Sequence, residues 1–341
     1  TGTDGKSTVV TLVYRVLKDQ NRPVRLVGNI GYAFSQMILD EPPDASTITV
    51  IEVSSYQLEN IRSFRPYVAA VLNIAPDHLH RHGTLLQYAQ AKYRITSNQT
   101  VNDYFIRPLA LPGSFKSVAQ TLFWAAQPHE LPGVHFDRHQ GHLVIRFQGQ
   151  TEVIPCPALA GAMPHQVENI LATLAMCLPF QVNRQKALET MLSFPGLPHR
   201  IEFLGCWSGV KYYNDSKATN VHACRAALKA LDGPLILLAG GDPKDQEDYE
   251  SLLDLIKVKC RQVIVFGKAR DLLANAWQGE IPLESWPTLE EATQRAIALA
   301  RVGDTVLLSP ACSSYDRFRN FEQRGNFFKS LISEWVIEKT S

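Results

Sequence analysis

The stretch that decides the fold is Thr1-Gly2-Thr3-Asp4-Gly5-Lys6-Ser7-Thr8. Two glycines followed by Lys-Ser-Thr form a phosphate-binding loop: glycine lets backbone N–H groups approach phosphate oxygens, Lys6 supplies a point charge for the β- and γ-phosphates, and the Ser7 hydroxyl can reach a magnesium ion. ATP or GTP is the implied ligand. The apolar run from Val9 to Leu17 reads as the helix whose N-terminus holds the anion.

Outward from the loop, short β-branched runs alternate with helical patterns, which predicts mostly parallel sheets with helices on their faces. Strands are expected at residues 25–27, 47–53 and 68–74, ending at Asn29, at Ser54 and at Asp77-His78. Ligands bind at the carboxyl ends of strands in open α/β sheets, so Asn29, Glu52, Ser54, Asp77 and His78 are expected around Lys6. Glu52 lies in an otherwise apolar strand, where a carboxylate needs either a structural Lys or Arg or a metal ion. Residues 101–157 read as a small β-rich elaboration, with strands at 120–126 and 142–147, and a helix follows at 166–177. Phe194-Pro195-Gly196-Leu197-Pro198 is a linker signal, placing a first domain at 1–196 and a Rossmann-like doubly wound domain at 197–341, with strands at 235–239, 262–266 and 305–308.

Composition narrows the function. In 341 residues, 45% hydrophobic and 20% charged, there is material for two cores, since single cores stop growing at about 250–300 residues. With 34 basic against 33 acidic residues no field favours nucleic acid or an anionic membrane, so small-molecule ligands are expected. The six cysteines form no C-x-x-C pair and read as reduced cytosolic thiols.

Four motifs in order resemble the ATP-dependent Mur ligases of peptidoglycan synthesis: the phosphate loop, Gly28-Asn29-Ile30-Gly31, Glu52-Val53-Ser54-Ser55-Tyr56-Gln57-Leu58, and Leu72-Asn73-Ile74-Ala75-Pro76-Asp77-His78-Leu79. Tyr88-Ala89-Gln90-Ala91-Lys92 resembles the segment whose lysine is carbamylated in that family. The resemblance implies two magnesium ions, one held by Ser7 and Glu52 and the other near His78 and carbamylated Lys92, with Lys6, Glu52, His78 and Lys92 as the catalytic set. Asn169, in an altered version of the family's nucleotide motif, and Arg200 and Asp215 join the loop residues Gly2, Thr3, Asp4, Gly5, Lys6, Ser7 and Thr8 as ATP-binding positions. Asn29, Ser54, Lys217, Thr219, Lys244, Ser314 and Phe321 take substrate positions.

The signature from Ser309 to Gly325 resembles the D-glutamate-adding branch, and the Asp-Asn-Pro-Arg motif of diaminopimelate-adding members is absent. The implied reaction phosphorylates the alanine carboxylate of UDP-N-acetylmuramoyl-L-alanine with ATP and lets the amine of D-glutamate attack the acyl phosphate, in the bacterial cytoplasm, with small molecules as the only partners and a monomeric chain. Closure about residues 195–198 is expected to assemble the site. Family members carry a further N-terminal domain for the uridine nucleotide, so the resemblance implies a fragment, or a uridine-binding part supplied elsewhere. A folylpolyglutamate-type or other Mur ligase, or a noncatalytic ATP-binding partner, stands as the alternative.

Overall fold

The computed structural model describes residues 1–111, 115–244, 247–277 and 279–337, with the backbone alone at residue 80. They fall into two compact units, Thr1–Pro195 and Gly196–Ser341. Part of the 101–117 stretch, whose role the sequence leaves open, lies outside the described residues.

The first unit runs α1 (Lys6–Asp19), β1 (Val24–Gly28), α2 (Phe34–Asp40), β2 (Ile48–Glu52), α3 (Ser55–Leu58), β3 (Val68–Ala70), α4 (Leu79–His82), α5 (Leu85–Tyr93), β4 (Tyr104–Pro108), β5 (Gln120–Ala125), β6 (Gly133–Asp137), β7 (His142–Phe147), β8 (Gln150–Pro155), α6 (Pro164–Cys177) and α7 (Arg184–Leu192). Strands β3 to β8 form one sheet in sequence order, parallel through β6 and antiparallel beyond it. The strand-rich stretch therefore continues the parallel sheet before it turns into an antiparallel meander. Helix α1 buries Val9, Leu12, Val13, Val16 and Leu17, a helical-period stripe, in a core shared with α6, α7 and one sheet face. Helices α3 and α5 cover the other face. Each of these two helices opens with a capping box, Ser54 with Gln57 and Thr84 with Gln87, which satisfies N–H groups that the first turn leaves unpaired.

Strand β3 is shorter than the expected 68–74 because the backbone past Ala70 turns to the phosphate loop. The Leu72 N–H donates to Thr1 O at 3.0 Å and the Thr3 N–H to Asn73 O at 3.1 Å. Strands β1 and β2 pair only with each other among the described residues. The Ile48 N–H donates to Pro23 O, so by the alternation of a parallel ladder Thr49 and Ile51 turn their amides away from β1. They border a recess of about 520 Å³ whose other walls include Val9 and Val13 of α1 and Val68 and Ala70 of β3.

The second unit runs β9 (Glu202–Trp207), β10 (Val210–Asn214), α8 (Val221–Ala230), β11 (Leu235–Gly240), α9 (Leu253–Lys259), β12 (Cys260–Phe266), α10 (Arg270–Trp277), β13 (Leu283–Trp286), α11 (Leu289–Leu299), β14 (Thr305–Ala311) and α12 (Phe321–Ile332). The sheet order is β13-β12-β11-β14-β10-β9, parallel except for β9. Leu235, Leu237 and Ala239 enter the layer with α8, α9 and α10, while Ile236 and Leu238 enter the layer with α11 and α12. Burial on both faces is why these strands read as unbroken apolar runs. The chain reverses between β13 and β14, so β14 sits between β11 and β10, the switch point where open sheets of this kind hold ligands.

Candidate functional site

In the first unit the site grows from Gly5, which stands at φ 78 as the N-cap of α1. A Cβ there would lie 2.6 Å from the Asn169 side-chain oxygen, so glycine is needed both for its backbone and to let α6 bring Asn169 against the loop. Asn73 braces the loop from the other side, accepting from the Asp4 N–H at 2.8 Å and donating to Asp4 O at 3.2 Å. Ser7 is buried in the first turn of α1. Lys6 Nζ folds over the loop, donating to Gly2 O at 2.9 Å and Thr3 O at 2.7 Å.

Lys92, the lysine that matches the family's carbamylated position, is 1% exposed. From α5 its Nζ donates to the same Gly2 carbonyl at 2.8 Å and lies 4.4 Å from the Tyr88 ring centroid. Burial, and then the charge of Lys6, bring its pKa down to about 7. Thr3 Oγ1 donates to Ala75 O and lies 3.4 Å from the Tyr88 hydroxyl, tying the loop to the strand end at 75–78.

Glu52 ends β2 and is 3% exposed. Its Oε1 accepts from Asn29 Nδ2 at 2.9 Å, whereas its buried Oε2 has no hydrogen-bond partner. A carboxylate oxygen left unsatisfied in a low-dielectric setting is costly unless a cation takes it up. Asn29 therefore stands on the carboxylate itself. The Ser54 hydroxyl accepts from the Gln57 N–H as the α3 cap. His78 is held in left-handed backbone at φ 53, with Nε2 3.4 Å from Asp77 Oδ2 and its ring 5.1 Å from Tyr56 and 6.4 Å from Tyr88. Among the described residues no three His, Cys, Asp or Glu side chains form a ready-made metal cluster.

In the second unit Asp215, at the carboxyl end of β10, accepts from the Ile201 N–H at 3.1 Å and from Ser309 Oγ at 2.8 Å. Burial drives its pKa up to about 7, against the partial relief from those bonds and from Arg200 and Arg324. Lys217 Nζ sits 3.8 Å from the centroid of the Phe321 ring, so two of the expected substrate positions meet directly. The Thr219 N–H donates to Lys217 O at 2.8 Å. Ser314 is buried, and Lys244 is exposed with its N–H on the Tyr249 hydroxyl.

Two residues quoted in these motifs, but given no role by the sequence, organise the switch point. Arg324 is fully buried and donates to Ser216 O (2.8 Å), Ser216 Oγ (3.0 Å), Ser313 O (2.9 Å), Cys312 O (3.1 Å) and Gly240 O (3.4 Å). It thereby gathers the carboxyl ends of β10, β11 and β14, and burial brings its pKa down to about 10. At the next residue of α12, a Cβ on Gly325 would lie 2.2 Å from His199 Nδ1, which itself lies 2.9 Å from Asn214 Nδ2. An arginine signals such a hub only when its burial is known.

The family model for the Mur ligase middle domain matches residues 1–177, and the Mur ligase, glutamate ligase domain matches residues 199–312. The chain belongs to the Mur ligase family. It is 38% identical to the UDP-N-acetylmuramoylalanine–D-glutamate ligase of Caldicellulosiruptor bescii over 98% of this chain and 74% of that protein. It is 37% identical to the protein of the same name from Chlorobium chlorochromatii, over 98% and 76%. In fold it is similar to the MurF ligase of Thermotoga maritima in complex with ADP (TM-score 0.69, 20% identity, 98% of this chain and 79% of that one). E. coli FolC in complex with ADP also shares the fold, with TM-score 0.68, 16% identity and coverage of 98% and 88%. No helix among the described residues is long and apolar enough to cross a membrane.

Proposed function

We propose that this Mur ligase joins D-glutamate to UDP-N-acetylmuramoyl-L-alanine at the expense of ATP; its relatives in Caldicellulosiruptor bescii and Chlorobium chlorochromatii are named UDP-N-acetylmuramoylalanine–D-glutamate ligases, and the phosphate loop supplies the case for ATP. The observation that carries the reading is the meeting of Lys6 and Lys92 on the Gly2 carbonyl, which sets a buried, deprotonatable amine against a phosphate loop.

The loop amides and Lys6 bind and orient the triphosphate, and Asn169 flanks it. The partnerless Glu52 Oε2 fits a magnesium ion, which takes one or two carboxylates plus phosphate oxygens, and Ser7 is the second protein donor. His78, with Asp77 beside it, supplies donors for a second ion, and Lys92 adds to them only as a carbamate. Bound there, such ions would supply charge neutralisation for the transferring phosphoryl group. A substrate carboxylate oxygen attacks the γ-phosphorus and ADP leaves. The amine of D-glutamate then attacks the acyl carbon, inorganic phosphate departs and the amine loses its proton. In the second unit Lys217, Thr219, Lys244, Ser314 and Phe321 hold the acidic amino acid, while Asp215 and Arg200 hold nucleotide. The chemistry is confined to small molecules and needs neither nucleic acid nor membrane.

The test is phosphate release from ATP and magnesium in the presence of UDP-N-acetylmuramoyl-L-alanine, with D- or L-glutamate as acceptor. Release dependent on D-glutamate, and abolished by Lys6→Ala, is expected. Nucleotide occupancy without turnover would make the chain a noncatalytic binder.

A further inference from the structure

His78 rests on a weak foundation. Helix α4 is a single turn, entered through His78 at φ 53 and left through Gly83 at φ 77. Its backbone bonds among the described residues run from the Arg81 and His82 N–H groups to His78 O, and from the Gly83 N–H to Leu79 O. An isolated turn of this length does not hold itself, and left-handed backbone at a residue with a side chain persists only where its surroundings impose it. The restraint has to come from outside α4.

Two side chains leave the turn for α3. Arg81 Nη2 reaches Glu59 Oε2 at 2.8 Å, but its side chain is 56% exposed, and ion pairs in that setting contribute little. His82 is different, with only 4% of its side chain exposed. Its Nδ1 lies 3.3 Å from Glu59 Oε1 and its Nε2 3.0 Å from the buried Ser55 Oγ. A carboxylate only accepts, so the chemistry of the partners sets the proton on Nδ1 and has Nε2 accept from Ser55. The ring faces are engaged as well: Tyr56 stacks on it at 5.7 Å and 19°, and Tyr88 packs at 5.1 Å. Those same two rings flank His78, and Tyr88 is also the surface beside Lys92.

Serine, histidine and glutamate in hydrogen-bonded sequence have the order of a nucleophilic triad, but Ser55 is 2% exposed and unreachable by a substrate. We infer that His82 is a positioning residue: it clamps the one-turn helix onto α3 through Ser55 and Glu59 and so fixes His78, and the Tyr88 wall beside Lys92, for metal binding. This rests on the reading of His78 as a ligand given above.

The test compares His82→Ala, His82→Gln, Ser55→Ala and His78→Ala in the full chain, titrated with Mn²⁺ in the presence of a nonhydrolysable ATP analogue and followed by electron paramagnetic resonance. Loss of a group that orients a metal ligand weakens metal binding by about 10–100-fold. His82→Ala is expected to weaken Mn²⁺ binding by about tenfold while nucleotide affinity without metal stays within about twofold, Ser55→Ala by less, and His82→Gln, which can keep one of the two bonds, to an intermediate value. The half-activating Mg²⁺ concentration should move in parallel. Weak Mn²⁺ binding in His78→Ala with wild-type binding in His82→Ala and Ser55→Ala overturns the positioning role and leaves the ligand assignment standing. Wild-type binding in all four variants overturns both. If His82→Ala does not fold, Ser55→Ala and His82→Gln decide by the same criteria.

Discussion

Lys92→Met tests the buried amine quantitatively. Lys92 moves from its ordinary pKa of 10.5 to about 7, and at about 1.4 kcal/mol per unit this corresponds to about 5 kcal/mol of differential interaction. The sign follows from proton counting. Between the two values the unfolded chain holds more protons than the native one, so stability contributed by this site rises with pH. Below pH 7 the native state must bury an ammonium and the full cost is present; above pH 10.5 it has gone. The stability of Lys92→Met relative to the wild type should therefore be highest at pH 6 and fall by several kcal/mol on the way to pH 10, read from urea unfolding at each pH. The same shift leaves a substantial part of the side chain as free amine near neutral pH, against about one part in a thousand for an ordinary lysine. That lone pair can attack carbon dioxide, forming a C–N bond and releasing a proton to leave an anionic carbamate. With ¹³C-labelled bicarbonate, the wild type should show a carbamate resonance that Lys92→Met lacks and that grows in above pH 7. Turnover lost in Lys92→Met should return in part with a small carboxylic acid. A stability difference that stays flat with pH, or a carbamate signal that Lys92→Met retains, would refute the reasoning.

Asp215→Asn should act in the opposite pH sense. Its native carboxyl is raised above the unfolded value, so its contribution to stability is lost as pH climbs from about 4 to 7, and the advantage of the asparagine in calorimetry should grow by about 4 kcal/mol across that window. Arg324→Lys keeps the charge but loses the fork that spans Ser216, Cys312 and Ser313; leaving two or more carbonyls without it should destabilise the second unit by about 4 kcal/mol. Its calorimetric transition should drop by roughly 10 °C, and a shift under about 3 °C would show the hub to be dispensable.

The phosphate loop was legible because glycines, lysine and serine at that spacing state a mechanism, and the mostly parallel sheets with helices on their faces followed from alternating β and α signals; the order of the strands did not. Strand β3 ended early because a hydrophobic run does not reveal that its backbone turns from a ladder to a loop. The bond from Asn29 to the Glu52 carboxylate depends on register between β1 and β2, which a single strand does not encode. For Lys92 the motif named the residue and for Arg324 it named no role, but in both cases the burial that makes the cation unusual comes from tertiary structure. His82 carried no local signal at all, since its partners Ser55 and Glu59 lie in α3 and at its C-cap, far away in sequence.

The recess between β2 and β3 has a different kind of selectivity from the phosphate loop. Its margins offer main-chain donors and acceptors at the spacing of a pleated sheet, beneath a greasy ceiling of valines. Thr1 already sits on one rung, its nitrogen 2.9 Å from Ala70 O. Whatever polypeptide lies there is judged by being extended and slim, and hardly by which amino acids it contains.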